Sequence, residues 1–103
     1  MDKAHSVRVA FTKGAIRQID AIIGRIAEQS PQGAGRVRER MQATTAILGR
    51  HPYLGQATDL DDVRRMIVSP FPYLIFYRVT ADAVIIQRVR HTSRDPLAVP
   101  GRA

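Results

Sequence analysis

The spacing of apolar residues changes from a helical to a strand-like period along the 103-residue chain, and this change limits the folds open to it. The first half has two helical stretches separated by Ser30 and Pro31. Serine caps free amides and proline suits the first helical position, so a second helix is predicted after this junction. Spacings of three and four predict two amphipathic helices, with one apolar face formed by Ile16, Ile19, Ile23 and Ile26 and the other by Ala34, Val37, Met41, Thr44 and Leu48.

Strand-like segments flank this helical hairpin. Apolar and polar or small residues alternate in residues 7–11, which predicts a first strand, and Thr12 is the predicted cap of the first helix. Residues 63–69, 73–80 and 83–91 are rich in β-branched and aromatic side chains and predict three further strands. Residues 51–62 are predicted to form a loop. The order β-α-α-β-β-β predicts an α+β fold, with the helical hairpin packed on one face of a small, mostly antiparallel sheet. We expect one domain over residues 1–103, with residues 92–103 as a mobile tail.

The chain is basic, with 16 Lys and Arg against 9 Asp and Glu. The excess lies mainly in residues 63–103, which contain seven arginines and only two aspartates. A positive field of this kind suits nucleic acid or an acidic protein segment, and a solvated basic surface is the plain alternative. A non-toxic nucleic-acid-binding domain ranks last, because the chain lacks an aromatic platform or a recognition-helix motif.

Cysteine is absent, which removes disulfides, thiolate metal sites and cysteine nucleophiles. No run of 18 uncharged apolar residues occurs, so no spanning helix is expected. We therefore expect a soluble cytoplasmic protein without membrane contact. His5 and His51 have no ligand partners nearby in the sequence, so no metal or cofactor is predicted.

Several short sequence motifs resemble those of the ParE/RelE toxin superfamily of type II toxin–antitoxin and plasmid-stabilisation systems, and they resemble its ParE branch more closely. They are an aspartate before an aliphatic pair in residues 19–23, a proline-and-glycine loop in residues 51–55, the strand YLIFYRV in residues 73–79, and an ending formed by His91, Arg94 and Asp95. The resemblance implies a toxin neutralised by a cognate antitoxin, ParD-like or similar, whose acidic tail clamps the basic sheet.

Within the superfamily, ParE-like members poison DNA gyrase, and RelE-like members cleave messenger RNA on the ribosome. The nuclease pattern requires lysines and an arginine on central strands with a terminal tyrosine, or a histidine followed by tyrosine. Here Leu74 takes the arginine position, no lysine follows Lys13, and His91 precedes Thr92. The resemblance therefore favours a non-enzymatic gyrase inhibitor, and a ribosome-dependent messenger RNA endoribonuclease is the alternative.

Candidate residues follow from these two hypotheses. For a nuclease, arginines would stabilise the phosphate and a histidine would transfer protons, so the catalytic candidates are Arg65, Arg88 and His91. His91 as a locally bonded strand-end residue is the favoured structural interpretation, and Tyr73 and Tyr77 are expected to be core or rim aromatics. Arg65 is expected to bind either the antitoxin or Asp95. The candidates for binding antitoxin or target are Arg65, Arg78, Arg88, Arg90 and Arg94.

Overall fold

The computed structural model describes residues 7–94, with Arg94 described by its backbone alone. Two helices follow a first strand, and the remaining strands complete one sheet before a short 3-10 turn. The elements are β1 (Arg8–Phe11), α1 (Lys13–Gln29), α2 (Pro31–Arg50), β2 (Gln56–Ala57), β3 (Val63–Ile67), β4 (Tyr73–Val79), β5 (Ala83–His91) and the 3-10 turn Thr92–Arg94. The predicted α+β class is confirmed, and the predicted elements occur in the predicted order with one additional strand, β2.

The helix boundaries follow from capping side chains. The Thr12 hydroxyl accepts a hydrogen bond of 3.0 Å from the Ala15 amide at the start of α1. Ser30 ends α1, and its hydroxyl accepts a 2.9 Å bond from the Gly33 amide at the start of α2. Each cap satisfies an amide that has no partner within its helix. Neither helix is long and apolar enough to cross a membrane.

The sheet has the order β1-β5-β4-β3-β2. Strand β1 runs parallel to β5, and every other pairing is antiparallel. Strand β4 lies between β5 and β3, which explains why its sequence is apolar at nearly every position. The predicted loop 51–62 contains one element that its composition did not indicate, because Gln56 and Ala57 pair with Arg65 and Arg64 as a two-residue edge strand.

The core lies between the helical hairpin and one face of the sheet. Its fully buried members include Leu48 of α2, Ile75 and Tyr77 of β4, and Ile86 of β5. The isoleucine stripe of α1 contributes Ile23 to this core, but Ile16 is 48% exposed at the helix start, so the stripe is buried less completely than its spacing predicts. Thus one face of the sheet is covered by helices, and we call the opposite face the open face.

Candidate functional site

Arginines occupy the open face across neighbouring strands. Arg65 of β3 and Arg88 of β5 both pair with Phe76 of β4, so the two cations lie on either side of one aromatic ring. Gln56 of β2 extends the same row beyond Arg65. Neighbouring rows contain Arg90 opposite Leu74 and Arg78 opposite Ile85. The open face therefore alternates guanidinium groups with apolar side chains.

No acidic residue occurs in any of the five strands described, from Arg8–Phe11 to Ala83–His91. The arginines of the open face therefore have no carboxylate partner within the sheet itself. Arg78 and Arg88 are exposed, whereas Arg65 and Arg90 are half-buried. Guanidinium groups in this arrangement favour forked contacts with carboxylates or phosphates supplied from outside.

A β-bulge places the arginines of β5 on the open face. Tyr77 pairs with Ile86, but the preceding Phe76 pairs with Arg88, so Gln87 is an extra residue in β5. A bulge of this kind shifts the alternation of side chains by one position. Val84 and Ile86 therefore face the helices before the bulge, and Val89 faces them after it. If Gln87 were instead paired regularly, without a bulge, Arg88 and Arg90 would point into the core.

Arg65 is partly engaged and partly free. Its Nε and Nη2 atoms donate to Gln56 Oε1 at 3.3 and 3.2 Å. Its buried Nη1 has no hydrogen-bond partner among residues 7–94, and the same holds for the buried Nε of Arg90. Leaving such a donor unpaired costs free energy, which a bound acceptor would recover. A groove of about 280 Å³ beside Arg65 is lined by Ile67, Leu74 and Thr92 among others.

His91 lies on the other side of the sheet from Arg65 and Arg88. It borders a cleft with Gln18, Ile22 and Arg25 of α1, and its ring meets the Tyr73 ring edge-on at 5.4 Å. Its Nδ1 atom accepts a hydrogen bond of 3.0 Å from the Ser93 amide. The fold thus brings Arg65, Arg78, Arg88 and Arg90 to one face and does not bring His91 to them. The side chain of Arg94 and all of Asp95 lie outside the described residues.

A second structured region was not singled out by sequence reasoning. Tyr77 is completely buried, and its hydroxyl donates to Pro52 O at 2.8 Å and accepts from the Gly55 amide at 2.9 Å. Arg64 donates to Gly55 O at 2.6 Å and stacks over the Tyr53 ring at 5.0 Å. These contacts fix the loop before β2 and hold Tyr53, 67% exposed, at the surface. The paired arginines in VRRMI were the sequence signal available for Arg64.

The buried environment of Tyr77 affects its ionisation. Burial raises the pKa of the Tyr77 hydroxyl above its ordinary value of 10.0, and the hydrogen bond from Gly55 and the Arg64 charge offset part of this rise. Because the neutral phenol both donates and accepts, it satisfies two backbone groups of the loop at once. Tyr77 is a core aromatic and Tyr73 a half-buried rim aromatic, as the sequence predicts, and the structural role of the Tyr77 hydroxyl is an addition to that prediction.

Comparison with known proteins defines the class to which this fold and surface belong. The family model "ParE toxin of type II toxin-antitoxin system, parDE" matches residues 9–96. The chain therefore belongs to the ParE toxin family, and its resemblance to the ParE/RelE superfamily is confirmed. It is also 29% identical over 79 residues to Y4kP, a candidate toxin of Sinorhizobium fredii, with 77% of this chain and 82% of that protein aligned.

Solved structures share the fold. A chain of the chromosomal ParDE system from P. aeruginosa superposes with a TM-score of 0.75 at 19% identity, covering 84% of this chain and 97% of that one. A chain of the RelBE2 toxin–antitoxin complex from Mycobacterium tuberculosis superposes with a TM-score of 0.56 at 23% identity, covering 88% and 97%. At these identities the likeness establishes the helical hairpin and sheet architecture alone.

Proposed function

We propose that this ParE-family toxin inhibits DNA gyrase without being an enzyme and that a cognate ParD-like antitoxin neutralises it. The observation that carries the proposal is the open face, where arginines alternate with apolar side chains and the strands contain no acid. Such a face suits a macromolecular partner that combines charge and apolar contact, which supports the proposal. The matched family and the similar structures are parts of toxin–antitoxin systems, which agrees with an antitoxin partner.

The antitoxin segment expected on this face is acidic and amphipathic. Its carboxylates would accept from Arg78 and Arg88, which are exposed, and from the unpaired Nη1 of Arg65. Its apolar side chains would cover Phe76 and the groove beside Leu74. Peptides of this type bind as a helix in a groove or as an added strand, and both modes fit an open sheet face.

The placement of His91 supports a non-enzymatic toxin over a nuclease. RNA cleavage requires a proton-transferring group within hydrogen-bond reach of the reacting atoms, together with cations on the same phosphate. His91 lies in the α1 cleft, whereas Arg65 and Arg88 lie on the open face. Leu74, at the position where the nuclease pattern has an arginine, is 5% exposed and supplies no charge to that face. The three nuclease candidates therefore do not form one site.

Two assays test the choice of target. The purified chain is added to gyrase during ATP-dependent supercoiling of a relaxed plasmid, and messenger RNA from cells that express the chain is mapped by primer extension. We expect supercoiling to stall and messages to stay intact. Codon-linked cuts in messages together with normal supercoiling would replace this proposal with the ribosome-dependent endoribonuclease.

A variant pair assigns the activity to the open face. The double substitution Arg65→Gln and Arg88→Gln removes two charges from the Phe76 row and keeps uncharged polar side chains at both positions. We expect it to weaken inhibition of supercoiling at least about tenfold, because charge-assisted hydrogen bonds contribute about 1.5–3 kcal/mol each. Arg36→Gln together with Arg38→Gln on α2, both exposed, is the control with equal charge change. Equal loss in both variants would show that net charge, and not this face, determines inhibition.

A further inference from the structure

A cleft lies between α1 and the end of β5, at the sheet edge, and shares only Arg90 with the arginines of the open face. Strand β1 pairs with residues 83–86 of β5 and then leaves the sheet, so the following part of β5 has no strand on that side. The side chain of Gln18 takes the place of a strand, because its Oε1 accepts a 2.8 Å hydrogen bond from the Val89 amide. The remaining space has a volume of about 390 Å³ and is lined by Gln18, Ala21, Ile22, Arg25, Tyr73, Val89, Arg90, His91 and Ser93.

The polar side chains of this cleft present donors. The carbonyl oxygen of Gln18 is already used by Val89, which leaves its amide NH₂ group to donate. The Nδ1 atom of His91 accepts from the Ser93 amide, so the proton of the neutral ring is on Nε2. Arg25 adds a guanidinium, and the hydroxyl of Tyr73 makes no hydrogen bond to any residue between 7 and 94. No aspartate or glutamate is part of the lining described.

We propose that this cleft binds a small phosphate monoester. Donors on α1 and on the ends of β4 and β5 approach from opposite walls, and a tetrahedral phosphate can accept from several directions at once. The cleft is larger than a bare phosphate requires and falls within the range of about 300–1,000 Å³ typical of small-molecule sites. The wall formed by Ala21, Ile22 and the Tyr73 ring would contact the organic part of the ligand. The proposal is independent of gyrase inhibition.

Calorimetric titration of the purified chain with adenosine 5′-monophosphate tests the proposal, with inorganic phosphate and adenosine as comparison ligands. We expect the monophosphate to bind more tightly than inorganic phosphate, and adenosine to show no measurable binding. Equal binding of inorganic phosphate and the monophosphate would show that only the charge is recognised and would overturn the proposed monoester site. Binding of adenosine equal to that of its monophosphate would overturn the phosphate contact.

The location is tested with variants and amide chemical shifts. Arg25→Gln should weaken binding by about tenfold or more, because it removes a charged donor, whereas Arg36→Gln on α2 should leave the affinity unchanged. The monophosphate should shift the amide signals of Ile22, Val89 and Ser93 and leave those of Arg65 and Phe76 in place. Shifts confined to the open face would show that the basic sheet attracts the anion and would overturn the proposal even if Arg25→Gln reduced the affinity.

Discussion

At the scale of single residues, Tyr77 joins the core to the loop that precedes β2. Its ring is completely buried, and its hydroxyl satisfies both Pro52 O and the Gly55 amide. Gly55 itself lies so close that an added Cβ would be 2.6 Å from the Tyr77 hydroxyl. The loop is therefore held by a buried polar contact, and it positions the Arg65–Gln56 row of the open face.

Replacement of Tyr77 by phenylalanine should lower the free energy of unfolding by about 1–3 kcal/mol, because it leaves buried backbone groups without a partner. Tyr73→Phe is the matched control, since the Tyr73 hydroxyl bonds to nothing in residues 7–94, and it should change stability by less than about 0.5 kcal/mol. Urea unfolding followed by circular dichroism measures both. Equal losses would contradict a structural role for the Tyr77 hydroxyl.

The same hydroxyl predicts a loss of stability at alkaline pH. Because burial raises the pKa of Tyr77 above 10.0, the folded chain retains the phenol proton after the unfolded chain has released it. This contribution to stability is complete below the unfolded pKa and is lost as pH rises through the raised folded pKa. Urea unfolding between about pH 8 and about pH 11 should show this decline, and a decline as steep in Tyr77→Phe would refute the assignment.

Two glycines should respond in opposite directions to alanine. A Cβ on Gly55 would be 2.5 Å from Arg65 O, so Gly55→Ala must displace the loop, and it should cost about 1–3 kcal/mol. A Cβ on Gly35 in α2 would meet nothing within 4 Å, and alanine there should stabilise the helix by about 0.5–1 kcal/mol. Thermal unfolding of the two variants checks the signs, and a stabilised Gly55→Ala would contradict the packing described.

At the scale of elements, the bulge at Gln87 decides which side chains of β5 reach the open face. Val84, Ile86 and Val89 are all in the core. Ile86 and Val89 are three residues apart, whereas regular alternation requires an even spacing, and the extra residue Gln87 accounts for the difference. Two side chains bond to the backbone of the bulge region. The Thr12 hydroxyl donates to the Gln87 carbonyl, and Gln18 Oε1 accepts from the Val89 amide. The start of α1 therefore supports the bulge that exposes Arg88 and Arg90.

Deletion of Gln87 tests the register around the bulge. The deletion removes the extra residue and makes Arg88 follow Ile86 directly, so regular alternation keeps Arg88 and Arg90 on the open face, opposite Phe76 and Leu74. In urea unfolding we therefore expect the deleted chain to stay cooperative, with a loss of about 0.5–3 kcal/mol that includes the Thr12 hydrogen bond to the Gln87 carbonyl. Gln87→Ala keeps that carbonyl and should unfold normally. Loss of cooperative unfolding on deletion would contradict this register.

The elements were predictable from sequence, and the details of the site were less so. Ser30 and Pro31 marked the helix junction and Thr12 marked the start of α1, because capping and apolar spacing are local signals. Strand β2 was missed because Gln56 and Ala57 have no strand-like pattern and owe their conformation to pairing with β3. His91 was proposed as a nuclease candidate together with Arg65 and Arg88, although it lies on the other face of the sheet. The bulge at Gln87 could not be located from the sequence, so the faces of the residues after it could not be predicted.

At the scale of the whole molecule, charge is segregated by layer. The sheet contains arginines and no acid, whereas the acidic residues described lie on the helices and in loops, including Asp59, Asp61 and Asp62 beside β3. The two layers meet through an apolar core, so the arginines of the open face are not neutralised from within. A partner that approaches the sheet meets a positive surface, and one that approaches the helices meets mixed charge.

This segregation predicts salt-dependent association with the antitoxin. The association rate, measured by stopped-flow fluorescence with a labelled antitoxin, should fall at least about tenfold as salt increases from about 0.1 M to about 1 M, where the screening length shortens from about 10 Å to about 3 Å. Replacing Arg78 and Arg88 by glutamine should flatten this dependence, because both are exposed on the open face. The control Arg36→Gln with Arg38→Gln lowers net charge equally on α2 and should keep most of the slope. If both double variants flattened the dependence equally, steering would depend on total charge and not on the sheet.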